Sequence, residues 1–365
     1  MQVEVSQLSE FLPFLIPLII YIAMLIFALP KPNLDILWYI IISLISIFMG
    51  FVLSVLFHEL GHGVLGHFAK YRLLSFKFLM FEIFYDDSEK IHFKINPINS
   101  VVLGQCLMLP PKGKKNKVKR FYLYNAGGLV FSYLWSLILL VLFLISNPYL
   151  RWVWMGMMLI NVFLILNNSH YTEGGINDRC NAVMVKNNTH YVDAINYQLT
   201  VMGNIYLGKR FGAKINATPY YEEKLNHITV PVVEFMMYNA IDHGDFEKVK
   251  ELRELLERNY IKLIFPIQKI VINFDLLWVD LVVDKSLVAF KRHFRRFKES
   301  EKMMCKKPNT DMNFYYRLYE QIYNKNYGLS TFIEEIMEAD CFYKGEKLSL
   351  LKRMDYLQAV LKEFE

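Results

Sequence analysis

The stretch from Ile36 to Phe68 constrains this chain more than any other. Residues Ile36 to Phe57 carry no charge, and the run then reads His58-Glu59-Leu60-Gly61-His62. An uncharged run of this length is that of a membrane-crossing helix, which needs roughly 20 apolar residues. On a helix, positions i and i+4 sit one turn apart on one face, so both imidazoles reach a single cation while Glu59 lies beside them. Ionisable groups are expensive in a helix built for lipid and mark function there. Two neutral imidazoles, an open coordination position and a neighbouring carboxylate are what a hydrolytic Zn²⁺ site requires, since zinc brings the pKa of water from about 15.7 to about 7. His58 and His62 are therefore the expected metal ligands and Glu59 the expected catalytic base. His67 is excluded, because at about 100° per residue it points about 140° away from His62.

Composition agrees with a chain partly in lipid. Hydrophobic residues make up 54% and charged residues 21% of the 365, with a mean hydropathy of +0.22. The apolar weight falls in the first 170 residues. Four spans are predicted, at about 11–29, 36–68, 121–145 and 152–168, and the N-terminus lacks the basic region and cleavage site of a signal peptide. The loop between the second and third spans carries Lys112, Lys114, Lys115, Lys117, Lys119 and Arg120. The positive-inside rule places that loop and both termini in the cytoplasm. The net charge of +6 sits largely in this juxtamembrane run and does not signal nucleic acid. Cys106, Cys180, Cys305 and Cys341 show no C-x-x-C spacing, so neither a disulfide framework nor a cysteine metal site is expected. Abundant Lys, Asn, Ile and Tyr fit an AT-rich genome, hence a bacterial cytoplasmic membrane.

Two further regions have their own character. Residues 72–104 alternate polar and apolar, as in Lys90-Ile91-His92-Phe93-Lys94-Ile95, and predict a β-hairpin or small sheet at the membrane surface. Val101 to Gly104 is expected to add a strand that returns toward the site. From residue 186 to 365 the pattern becomes that of ordinary globular helices. Pro231–Ile241 and Phe246–Arg258 form a predicted hairpin stopped by Gly244 and restarted by Asp245. The expected fold is thus all-α and polytopic, with a transmembrane domain over 1–185 and a cytoplasmic helical domain, tetratricopeptide-like, over 186–365. Helical arrays of this kind bind peptides or proteins, so a cytoplasmic partner is expected there.

His-Glu-x-x-His inside a transmembrane helix resembles the site-2 protease family of intramembrane zinc metalloproteases. The resemblance implies a three-helix catalytic core, a third ligand (an aspartate from a later membrane segment) and cleavage of a membrane-embedded peptide or single-span protein held as an extended strand. The family's later motif reads Asn-x-x-Pro, then Asp-Gly. Here the matching stretch is Asn167-Asn168-Ser169-His170-Tyr171-Thr172-Glu173-Gly174-Gly175-Ile176-Asn177-Asp178-Arg179, without the proline and with Arg179 where glycine is expected. Asp178 is the first candidate for the third ligand and Glu173 the alternative, with His170 also open. Asn167 or Asn168 would serve substrate backbone or the oxyanion. Two other classes stand beside this one. One is a zinc prenyl-protein protease, which wants more spans. The other is an inactive receptor or immunity-type binding protein.

Overall fold

The computed structural model describes Ile19, Ser88 and residues 36–86, 90–95, 104–113, 115–171, 177–215, 217–260, 266–295, 311–338 and 343–364. The chain divides into two compact units, Met1–Glu82 with Val102–Val192, and Ile83–Val101 with Asp193–Glu365.

The uncharged run of the first unit forms one unbroken helix, α1 (Ile36–Phe68). After the strands it is followed by α2 (Lys117–Ile145), α3 (Pro148–Ser169) and α4 (Asp178–Asn187). Three stretches are long and apolar enough to cross a membrane: Ile40–Phe68, Lys117–Ile145 and Pro148–Ser169. The expected span at 11–29 lies outside the described residues apart from Ile19. Two helices begin earlier than hydropathy places them. α2 starts among the lysines, whose aliphatic stems extend a lipid helix while their ammonium groups reach water. α3 starts at Pro148, which suits a position whose N–H needs no partner, and the Asn147 side chain accepts from Leu150 N at 3.1 Å.

α1 and α2 cross at paired glycines. A Cβ on Gly61 would lie 2.1 Å from the Gly127 carbonyl oxygen, and one on Gly127 would lie 2.3 Å from that of Gly61. Only glycine permits so close an approach of two backbones. α3 joins them through Asn161, whose Nδ2 donates to Ser136 Oγ at 2.7 Å and to the Ser132 carbonyl at 3.0 Å. Away from these contacts Leu44, Phe48, Leu137, Val141, Leu144 and Phe163 are exposed, the outer face expected of helices solvated by lipid.

Four strands, β1 (Arg72–Phe78), β2 (Phe81–Tyr85), β3 (Ile91–Ile95) and β4 (Gly104–Leu109), form an antiparallel sheet in the order β3-β2-β1-β4. β1 pairs with β4 from Arg72↔Leu109 to Phe78↔Gly104, with an irregularity between Leu73 and Ser75. The last strand thus begins where the sequence reading ended it, at Gly104, and runs on through the apolar Cys106-Leu107-Met108. Residues 101–103 lie outside the described set. β4 is an edge strand of this sheet.

Beyond its strands the second unit is helical: α6 (Val230–His243), α7 (Phe246–Tyr260), α8 (Pro266–Val282), α9 (Leu287–Arg295), α10 (Asp311–Tyr323), α11 (Ser330–Glu338) and α12 (Lys344–Phe364), after α5 (Tyr191–Tyr206) at the boundary. The α6–α7 turn follows the expected chemistry. Gly244 sits at φ 73°, its N–H closing on Ala240 and Ile241 carbonyls, and Asp245 Oδ1 accepts from Lys248 N. α8 is a core helix, with Ile270, Ile272, Leu277, Trp278, Val279 and Leu281 buried.

α8 also carries buried charge, which explains why its apolar sequence is not a span. Asp280 is fully buried and accepts from Arg253 Nη2 at 3.0 Å and His293 Nδ1 at 2.5 Å. Asp280→Ala removes the buried partner of Arg253 and His293 and is expected to destabilise this unit by about 3–5 kcal/mol. Asp284→Ala, which removes a more exposed partner of Arg253, is expected to cost about 1 kcal/mol or less. Urea unfolding followed by Trp278 fluorescence measures both.

Candidate metal centre

The site is assembled from α1, α2 and the first turn of α4. His58 and His62 project from one face of α1, and Asp178 is the first residue of α4. His58 Nε2 lies 3.3 Å from His62 Nε2 and 3.3 Å from Asp178 Oδ2, and His62 Nε2 lies 3.4 Å from the same oxygen. These three atoms form a nearly equilateral triangle, and His58, His62 and Asp178 are the one group among the described residues that could hold a metal ion.

The tautomers follow from the neighbours. His62 Nδ1 faces the Tyr124 carbonyl at 3.0 Å, which only accepts, so the proton is on Nδ1. Ser132 Oγ donates its own hydrogen to the Gly128 carbonyl at 2.9 Å. It must therefore accept from His58 Nδ1, 3.2 Å away. With both Nδ1 atoms protonated, each neutral imidazole would turn the lone pair on Nε2 toward the Asp178 carboxylate, and an imidazolium would turn an N–H there instead. Asp178 Oδ2 is buried without a hydrogen-bond donor. Burial acts to raise its pKa, but His62 and His58 outweigh burial and hold the carboxyl well below the usual carboxylate range, so it is ionised. The three atoms lie within 3.4 Å of one another, and only a shared proton or a bound cation joins them without repulsion.

The donor set is compatible with zinc. Tetrahedral bonds of about 2.05 Å place neighbouring ligand atoms about 3.3 Å apart, which is the side of this triangle. Nitrogen and carboxylate ligands suit that ion, and each histidine has the outer hydrogen bond that fixes a metal-binding imidazole.

Asp178 is held through its backbone as much as by its charge. Asn125 Nδ2 donates to the Asp178 carbonyl at 2.8 Å. Asn177 caps α4, accepting from Cys180 N at 2.9 Å, and its Nδ2 donates to the carbonyls of Asn167 and His170 at 2.6 and 2.8 Å. The turn after α3 is thereby tied down around one asparagine. Gly128 keeps the space over the imidazoles clear: a Cβ there would lie 2.5 Å from His58 Cε1 and 2.6 Å from each Nε2.

Glu59 stands beside the triangle and against the start of β4. The Cys106 backbone N–H donates to its carboxylate. A Cβ on Gly104 would lie 2.9 Å from Glu59 Oε1, so glycine lets the strand lie against the carboxylate. Tyr124 fixes the same strand through its hydroxyl, which donates to the Cys106 carbonyl at 2.9 Å.

Of the residues expected from sequence, His58, His62 and Asp178 come together with Glu59 adjacent. Glu173 lies outside the described residues, and His67 is exposed. Asn168 is turned onto its own helix, donating to the Leu164 carbonyl at 3.1 Å, because α3 continues through Ser169. Asn167 is exposed, and its carbonyl serves the Asn177 amide. Ser132, Asn125 and Asn177 had not been singled out. For Asn177 a signal existed, an N-cap residue directly before a helix. No family model matches the chain, and no curated protein or solved structure is found to be similar to it.

Proposed function

We propose that this chain is an intramembrane zinc endopeptidase resembling the site-2 proteases, cleaving a membrane-embedded peptide or single-span protein near the cytoplasmic face. The observation that carries the reading is the triangle of ligand atoms from His58, His62 and Asp178, 3.3–3.4 Å apart, inside a bundle of apolar helices. In this reading residues 11–29 add a fourth span, both termini are cytoplasmic, and the second unit is a tetratricopeptide-like array that recruits a protein or peptide.

His58, His62 and Asp178 would hold the ion. Zinc there supplies Lewis acidity toward the scissile carbonyl and brings water within reach of deprotonation at neutral pH. Glu59 takes the proton of the attacking water and delivers it to the departing amide nitrogen. The Cys106 N–H and the backbone at Gly104 keep that carboxylate in place. Substrate must be unwound before attack, since a helix hides its carbonyls in its own hydrogen bonds. The edge of β4, running past Glu59, offers backbone groups for pairing with such a strand. Ser132 and the Tyr124 carbonyl keep both imidazoles in the ligating tautomer throughout.

Glu59→Ala is expected to lower cleavage about 10²- to 10⁴-fold while keeping the metal. His58→Ala and His62→Ala are expected to lose both. The measurement is metal content by mass spectrometry, alongside cleavage of labelled single-span peptides co-reconstituted in vesicles. Undiminished cleavage by Glu59→Ala defeats the mechanism. Metal without cleavage in the unaltered chain favours an inactive receptor.

A further inference from the structure

Asn161 is fully buried in α3, among Met157, Met158, Val162 and Ile165. Its Nδ2 donates to the Ser132 carbonyl and to Ser136 Oγ, and Ser136 Oγ donates to the same Ser132 carbonyl at 3.2 Å. An amide and a hydroxyl thus close on one peptide group of α2. The amide cannot be turned over, because its oxygen would then face a carbonyl, and both only accept. Held this way, Asn161 Oδ1 is buried and meets no donor among the described residues. A buried acceptor without a donor is expensive, and leucine would fill the same place in an apolar bundle without that cost. Packing alone does not account for an asparagine here.

Ser132 is the link from Asn161 to the metal centre. Its Oγ accepts from His58 Nδ1 at 3.2 Å and donates to the Gly128 carbonyl at 2.9 Å. His62 is held differently, by the backbone carbonyl of Tyr124. How closely Ser132 meets His58 depends on how α2 is set against α1, and α3 packs on both. On the α1 side, a Cβ on Gly50 would lie 2.6 Å from Met157 Cα, and one on Gly156 would lie 2.8 Å from Ser46 Cβ. α3 is therefore seated on α1 one turn before Asn161. On the α2 side, the Asn161 amide grips Ser132. The helix acts as a brace that sets the Ser132 hydroxyl against the His58 ring.

We infer that Asn161 is a positioning residue for the metal centre, acting on His58 through Ser132 and leaving His62 to its own backbone partner. The inference rests on the reading of His58, His62 and Asp178 as metal ligands. Without the amide, Ser132 loses the contact that fixes it, and the His58 ring loses the bond that aims Nε2 at the ion. An outer hydrogen bond of this kind is worth about 10–100-fold in metal affinity.

The test is the zinc dissociation constant of the full chain in detergent micelles, measured by competition with a chromophoric chelator, for Asn161→Leu, Ser132→Ala and the double variant. Each single substitution is expected to weaken zinc binding about 10–100-fold. The double variant is expected to bind no more weakly than the weaker of the two singles, because both remove the same support. Independent losses would multiply, to about 10²–10⁴-fold. Ser46→Ala is the control for packing. Its hydroxyl donates to the Ile42 carbonyl of its own helix at 2.6 Å, so its loss is expected to lower the melting temperature and leave the zinc constant unchanged. Ser136→Ala, which removes one of the two acceptors of Asn161, replaces Asn161→Leu if that variant does not fold, and its zinc binding is expected to fall in the same direction. Zinc held by Asn161→Leu, or by Ser136→Ala in its place, as tightly as by the unaltered chain overturns the inference alone, as does a double variant whose losses multiply. Zinc missing from the unaltered chain defeats the metal centre itself and this inference with it.

Discussion

Asp178→Ala is expected to release the metal and reduce cleavage below detection without unfolding the first unit. The substitution removes one of three donor atoms. Losing only an outer hydrogen bond to a ligand weakens metal binding about 10–100-fold, so losing a ligand outright is expected to exceed that. The backbone should stay in place. Asn125 grips the carbonyl of residue 178, not its side chain, and Asn177 caps α4 independently of it. In the metal-free protein the Asp178 carboxylate pairs with the two histidines, so its removal should cost some apo stability as well. The signature is therefore a difference. Adding zinc raises the melting temperature of the unaltered chain by mass action, and the increment of RT ln(1 + [Zn]/Kd) vanishes in Asp178→Ala. If Asp178→Ala keeps its zinc increment and Glu173→Ala loses it, the third ligand is Glu173.

The parts of the site that could be read in the sequence are those set by local periodicity. His58 and His62 share a face because four residues make about one helical turn, whatever the rest of the chain does. The Gly244-Asp245 turn follows likewise from the φ preference of glycine and the capping chemistry of aspartate. Asp178 follows from another source, the resemblance to the site-2 proteases. The remaining parts depend on which residues of two helices face each other. Ser132 is one of two serines in an apolar helix, and its bond to His58 follows from the Gly61–Gly127 crossing. Asn125 is one polar residue within α2. Its use, holding the Asp178 carbonyl, requires a loop closure of 53 residues that no local pattern encodes. The strand pattern within residues 72–104 is legible in the alternation of polar and apolar residues, but the grouping of residues 83–101 with the helices from 193 onward is tertiary. Phe84, which stacks on His92 and meets Tyr206 and Tyr343 edge-on, looks in sequence like any strand phenylalanine.

Gly128→Ala is expected to be as damaging as removing a ligand, although it adds one methyl group. On an ordinary helix the change should stabilise by up to about 1 kcal/mol, because glycine is the poorer helix former. Here the added carbon would stand 2.5 Å from His58 Cε1 and 2.6 Å from both Nε2 atoms, where carbons and nitrogens do not approach. Neither imidazole can yield freely, since His58 is bonded to Ser132 and His62 to the Tyr124 carbonyl. Nor can the helices part without opening the Gly61–Gly127 contact. The strain must fall on the triangle of ligand atoms, and a displacement of about 1 Å costs roughly 10²-fold in catalysis. Cleavage in vesicles should fall by at least that factor, with weaker zinc retention. Gly63→Ala supplies the comparison on the facing helix. Its new carbon meets only Cys106 Sγ at 3.5 Å, an ordinary contact, so activity and metal content should be unchanged and stability equal or slightly higher. Equal behaviour of the two variants would mean that the space over the imidazoles is not needed, and the chemistry assigned to His58, His62 and Glu59 would lose its geometric basis.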